Sequence, residues 1–398
     1  MTAHDTTEGY GPMRTDGGDR GKLIDRARDR VDRFGRGTAL RRPVLCALVL
    51  LALTGPLLGS GTGAASADAP PPQGPQAAGA TRSSVTWDVE LDGTAEGAGP
   101  DDDANVEHSG TALRIRDTGL AAASGRTGRG QGSAVLPVRH LAHGVDRVAA
   151  EVTAEVPPGA QVLVDIRGRD AGGRWTEWRE AAPGAPAELP RTVMDVQARL
   201  LLRSGPDKAG PTVSALRLTA DSAGVAEPAP EAAAPFSARV FATREGLVGG
   251  TTANGHVIRP NDRFVALPSR RGLSAKGSAE YSVRVCGPAR CETAPVWDVG
   301  PWNIRDDHWN PSSVREMFKS LPQGLPEAQA AYEDGYNDGL DGFGRRVLNP
   351  AGIDLADGTF YNVGLNDNGW VTVTYLWTGD DSAARGSGDA RTASDSAS

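Results

Sequence analysis

Cysteine is scarce in this chain. Three occur in 398 residues, and Cys46 falls inside an apolar N-terminal run, which leaves Cys286 and Cys291. A zinc site built on cysteine lacks its second pair. A Gly-rich phosphate loop, Gly-x-Ser-x-Gly and His-Glu-x-x-His are all absent, so nucleophile-elbow chemistry and zinc proteolysis have no support. Long apolar runs are missing too. The run at 44–58 is shorter than the ~20 residues of a membrane span and carries Gly55 and Pro56 near its end.

The first 42 residues are basic for their length and end in Arg41-Arg42. With the apolar run and Ala65-Ser66-Ala67 ahead of Asp68, they follow the order of a secretory signal, cleaved after residue 67. A membrane anchor is the alternative, and Arg41-Arg42 leaves twin-arginine export open beside the general route. The mature part, 68–398, then holds 32 Lys and Arg against 43 Asp and Glu, a formal charge of −11. That charge disfavours nucleic acid and anionic bilayers, whose binding rests on phosphate neutralisation. It also repels strongly anionic wall polymers unless a local basic patch intervenes. In an exported protein the even pair Cys286 and Cys291 reads as a disulfide, with two free thiols as the alternative.

Composition divides the rest. Residues 68–83 are an Ala, Pro, Gly and Gln linker, 221–235 an Ala/Pro-rich one, and 380–398 a disordered Ser, Ala, Asp and Gly tail. Between them stand two mainly β domains, 84–220 and 236–379. The first shows short alternating runs, such as Val148, Ala150, Val152, Ala154 and Val156, or Val162, Val164 and Ile166. These predict a jelly-roll-like β-sandwich. The second places strands at 236–241, 264–267, 281–286, 293–298 and 370–377 around a helical insert. Asn310-Pro311-Ser312-Ser313 predicts a helix start into 314–321, and Pro326 a second helix through Asp334 that Gly335 stops.

Four pieces of the second domain keep an order and spacing of their own: Thr252-Ala253-Asn254-Gly255, Val265-Ala266-Leu267-Pro268, Val296-x-Asp298-x-Gly300-Pro301 and Ile353-Asp354-Leu355. In this arrangement they resemble the six-stranded double-psi β-barrel of rare lipoprotein A and the expansins, over about a third of the chain. The resemblance implies action on cell-wall polysaccharide. It also implies a groove edged by the Thr-Ala-Asn-Gly turn, with Asn254 and the adjacent His256, and two groove acids, Asp298 and Asp354. The family's histidine before the Leu-Pro element has no counterpart here, since Phe264-Val265-Ala266 stands in its place. That departure favours binding over cleavage.

Glycosidic cleavage needs a proton donor at the leaving oxygen. One carboxyl with a raised pKa suffices for a lytic transglycosylase, whereas a hydrolase uses two. Asp298 is the first candidate, with a structural acid as its alternative. Trp302 is the better stacking surface for a sugar ring, because Trp297 points to the face opposite Asp298 and so into the core. Asp306, Asp307, His308 and Trp309 mix carboxylates, an imidazole and an indole before the insert, and are expected on the groove floor or as a capping cluster. The acids at 334–341 do not follow an EF-hand spacing, so neither a metal nor a cofactor is expected. Trp175 and Trp178 lie three apart on the first domain, one at least in the core. The reading is an extracellular, wall-associated protein that binds peptidoglycan or a related glycan. The alternatives are a lytic transglycosylase using Asp298 and an extracellular protein-interaction module.

Overall fold

The computed structural model describes residues 84–93, 103–120, 129–222 and 234–379. The signal at 1–67, the linker at 68–83 and the tail at 380–398 lie outside the described residues, as does most of the 221–235 linker.

The N-terminal region is one antiparallel sheet of nine strands: β1 (Val85–Val89), β2 (Val106–Ser109), β3 (Ala112–Ile115), β4 (Gln131–Val135), β5 (Arg139–Glu155), β6 (Gln161–Arg169), β7 (Arg179–Glu180), β8 (Ala187–Arg203) and β9 (Thr212–Asp221). The order is β2-β3-β9-β5-β8-β6-β7, with β1 also on β9 and β4 also on β8. Two long strands change partners part-way. The first half of β5 pairs with β8 and the second half with β9, while the end of β8 lies between β4 and β6. The strands thus form one continuous sheet around a shared apolar core, the mainly β architecture expected of this region. Leu113, Val148, Ile166, Leu200, Leu202 and Leu216 fill that core, each almost fully buried. The alternating face of β5 is only partly used, because Val152 and Val156 are exposed.

The C-terminal region is a closed six-stranded barrel of β10 (Ser237–Arg244), β11 (Val265–Leu267), β12 (Ser282–Cys286), β13 (Cys291–Val299), β14 (Ala351–Leu355) and β15 (Gly369–Tyr375), in the order β10-β14-β11-β13-β12-β15. The β10/β14 and β11/β13 pairs are parallel and the other four antiparallel. Val240, Val265, Leu267, Val283, Val285 and Ile353 alternate into the interior, as a small barrel requires. Cys286 and Cys291 form a disulfide opposite each other at the β12/β13 turn.

The insert between β13 and β14 holds one helix where two were expected. α1 (Glu327–Asp334) starts after Pro326 and ends at Gly335, whose left-handed backbone (φ 70°) closes the last turn. Residues 314–321 form turns instead. The Arg315 N–H donates to Pro311 O, but the Glu316 N–H is drawn to Asp307 Oδ1 (2.7 Å), and Phe318 adopts φ +56°. Side-chain acceptors outcompete the helix ladder there. A short α2 (Asp357–Asn362) follows β14.

Sheet and barrel pack as one body. Val135 and Trp178 of the sheet region belong to the barrel's own core cluster. Around them runs a buried polar seam. Asp165 accepts from Arg199 (2.7 Å) and Arg270 (3.1 Å), and Arg167 pairs with Glu280 (2.8 Å). The Glu177 carboxylate takes the indole N–H groups of Trp309 (2.6 Å) and Trp377 (2.9 Å). Burial pushes both carboxyls up, yet Arg270 and Arg199 hold Asp165, and Arg179 and Arg271 hold Glu177, below the usual range. Among the described residues no helix is long and apolar enough to cross a membrane.

Candidate functional site

Strand register assembles an acidic site on the barrel. Thr243 of β10 lies opposite Asp354 of β14, and Asp354 opposite Ala266 of β11. Ala266 in turn lies opposite Asp298 of β13. Four adjacent strands thus place Thr243, Asp354, Ala266 and Asp298 in one row. The two acids named by the sequence motifs are brought together, with a small alanine between them.

They are not equivalent. Asp298 is fully buried, and its Oδ1 accepts the backbone N–H groups of Ala253 (2.7 Å) and Val299 (2.8 Å). The Thr252–Gly255 turn therefore cradles Asp298. Asn254 serves the same turn: it is buried, accepts from Thr252 Oγ1 and donates to Ser274 O and Ala275 O. Asp354 is only half-buried and accepts a hydrogen bond from Thr243 Oγ1.

A third acid, not anticipated from sequence, sits with them. Glu245 follows the end of β10, is buried, and meets no donor at either carboxyl oxygen among the described residues. Burial and the adjacent charges of Asp298 and Asp354 hold its pKa well above the ordinary carboxylate range. The site is a stack: Asp298 fixed in the interior, Glu245 buried beside it, Asp354 half-buried at the surface.

This stack borders a groove of about 410 Å³, lined by Glu245, Asp354, Trp302, Arg345, Leu348 and Asn349 among others. Trp302 follows the cis Gly300–Pro301 bond with φ +61°, a left-handed backbone that a bulky side chain rarely adopts. Arg345 Nη2 donates to its carbonyl (2.5 Å), and its indole N–H donates to Asn349 Oδ1 (3.0 Å). Arg345 is itself held by Asp341 (2.6 Å). Unusual backbone fixed by surrounding bonds is found disproportionately at ligand sites.

The other residues singled out from sequence lie elsewhere. His256 bonds Asp262 (2.6 Å) and packs beside Trp297 at 4.8 Å between ring centres, away from the groove. Trp297 does not enter the barrel core: it is half-buried and stacks on Phe264 in a small cluster outside it, while Val296 and Asp298 on the opposite strand face are the buried ones. The 306–309 run is structural, which corrects its placement on the groove floor. Asp306 receives Arg315 Nε (3.0 Å) and the Glu327 N–H (2.7 Å), so it caps α1. Burial raises its pKa to about 6. Asp307 binds Arg271 and the Glu316 N–H. His308 bonds the Tyr375 hydroxyl (2.7 Å), and burial depresses its pKa to about 3. Trp309 is 1% exposed and stacks on Tyr375. Trp175 and Trp178 both pack inward, with Arg167 over each ring. Among the described residues no cluster of three or more His, Cys, Asp or Glu could hold a metal ion.

Comparison with known proteins adds little chemistry. Residues 236–374, nearly the whole barrel, match a family described as a domain of unknown function (DUF8814). No curated protein matches the chain.

Glu245 and Arg345 were the functional residues hardest to see in advance. Glu245 carried one signal: an acid directly before Gly246 at the end of a strand whose partner bears Asp354. Arg345 carried none, since its bond to Trp302 O depends on the path of the insert.

Proposed function

We propose that the barrel groove binds cell-wall polysaccharide and that the protein acts outside the cell. The observation that carries this reading is Trp302, an indole braced by Arg345 and Asn349 at the wall of an open groove that Asp354 also lines. A flat aromatic face flanked by amide, guanidinium and carboxylate groups is what a chain of hydroxylated rings requires. The closed barrel with two parallel pairs supports the resemblance to the rare lipoprotein A and expansin barrels. The Cys286–Cys291 disulfide agrees with an oxidising compartment.

A second reading, lytic cleavage, draws on the acid stack, with the roles reassigned. Asp298 cannot be the proton donor to a sugar, because Oδ1 is engaged by two amides and Oδ2 has no exposed surface. Asp354 is the acid that reaches the groove. Glu245, buried beside it with a raised pKa, would tune that acid.

Residues 68–398 incubated with insoluble peptidoglycan, chitin and cellulose, pelleted, with supernatants read by mass spectrometry, separate the readings. Retention on one glycan that falls about tenfold in Trp302→Ala supports the groove. Anhydro-sugar products that vanish in Asp354→Asn while retention persists would establish cleavage. Undiminished retention by Trp302→Ala would refute the groove as the binding surface.

A further inference from the structure

Trp302 separates the groove from a second, smaller cavity where the sheet meets the barrel. This cavity measures about 40 Å³ and is lined by Gln131, Arg203, Arg270, Trp302, Phe343 and Arg345 among others. Its wall holds three arginines and no carboxylate, in a chain with 42 basic and 50 acidic residues. Two of the three are already engaged. Arg270 pairs with Asp165, Glu180 and Glu316, and Arg345 with Asp341.

Arg203, the last residue of β8, is not. It is half-buried and forms no ion pair or side-chain hydrogen bond among the described residues. Burial, with Arg270 and Arg305 nearby, lowers its pKa to about 10, so it stays charged at neutral pH. With Arg270 and Arg305 beside it, and for counter-charge only Asp165, which Arg199 and Arg270 already hold, this guanidinium gains from an anion that enters the cavity.

Size and position limit the anion. A volume of about 40 Å³ takes a substituent of a few atoms, not a sugar ring. Trp302 and Arg345 line both this cavity and the groove, so a group projecting past the indole edge from a groove-bound chain can enter. We infer that the cavity is a specificity subsite for the carboxylate of an acidic sugar in the bound chain, with Arg203 as its counter-ion and the Gln131 amide as a second donor. The inference rests on the groove reading and narrows it from polysaccharide to carboxylate-bearing polysaccharide, a lactyl ether or a uronate. It also supplies the local basic patch that an acidic protein needs in order to approach an acidic polymer.

The test uses residues 68–398 and soluble glycan strands stripped of peptide, so that the lactyl carboxylate is free, beside the same strands with the carboxyl reduced to an alcohol. Wild-type protein should bind the acidic strands about tenfold more tightly, the scale of one charge-assisted bond. Arg203→Gln should abolish that preference without changing affinity for reduced strands, and Arg203→Lys should keep part of it. Polygalacturonate as a third probe tells a uronate from a lactyl group, and preference for either supports the subsite. Equal binding of acidic and reduced strands by wild-type protein, or an acid preference that survives Arg203→Gln, overturns it and leaves the groove standing. Binding of none of the three probes would remove the groove reading itself.

Discussion

Replacing Trp178 by alanine tests whether sheet and barrel are one cooperative body. Trp178 belongs to the sheet region, is 1% exposed, and contributes to the barrel's core cluster. Its indole N–H donates to Leu273 O (3.1 Å), and the guanidiniums of Arg167 and Arg199 each lie 4.3 Å from its ring. Emptying such a site costs about 3–5 kcal/mol through lost burial and residual cavity. The lost hydrogen bond adds about 1 kcal/mol, and the two cations lose a favourable ring face. A total near 5 kcal/mol is a large share of the ~5–15 kcal/mol typical of a folded protein. At roughly 2–4 °C per kcal/mol for a large domain, the melting midpoint should fall by about 10–20 °C. Trp178→Phe retains the ring and should lose only about 1–2 kcal/mol. Urea and thermal unfolding followed by far-ultraviolet and near-ultraviolet circular dichroism are the assays. One transition that moves as a whole is the expected result. Two transitions, with only one displaced, or a loss below about 1 kcal/mol, would refute the single-body account.

Two further predictions concern pH. The Glu327 carboxyl is raised to about 7 by burial, with Asp306 and Asp341 adding to the rise. The folded state thus holds a proton that the unfolded chain releases near 4.5, and stability falls as pH rises between those values. Glu327→Gln should match wild type near pH 4 and exceed it at pH 8, and a melting-temperature series with parallel curves would contradict this. His308 works on the acid side. Its pKa falls from 6.5 to about 3, so stability is present above 6.5 and is lost as pH drops toward 3, on the order of 5 kcal/mol in all. His308→Gln should be less stable at pH 7 yet show a shallower acid limb, and an unchanged limb would show that His308 is not its source.

The elements written into local pattern were legible. The runs at 161–170, 192–203, 212–220 and 293–298 alternate or carry branched residues, and the strands lie there. The chain punctuates α1 on both sides, with Pro326 and Gly335. What failed was whatever depended on partners far away in sequence. The 314–321 segment has a good helix opening, but Asp307 and the turn at Phe318 divert its amides. β4 carries Gly132, Ser133 and Ala134, with little β-propensity, and is a strand because β8 offers it an edge. The site divides the same way. Asp298, Asp354 and Trp302 were readable because each sits in a short motif. Glu245 joins them at the end of β10, and Arg203 lines a cavity with Trp302 from a distant part of the chain.

The 306–309 run shows why residue chemistry alone misplaced part of the site. Two acids, a histidine and a tryptophan in succession suit a sugar groove, yet they suit equally a segment that must anchor an insert to two neighbours at once. The structure distinguishes these by where the opposite charges lie. Asp306 and Asp307 have arginine partners of their own, Arg315 and Arg271, within the fold. Trp309 has Glu177. Groups whose partners are already supplied have little left to offer a ligand. Two residues at the cavities differ from that run: Glu245, a buried acid with two further acids as neighbours, and Arg203, which forms no ion pair among the described residues. Both adjoin the cavities that Trp302 separates. Charged groups gathered at a shared aromatic wall, more than any run of sugar-binding residue types, favour this face of the barrel for the proposed binding.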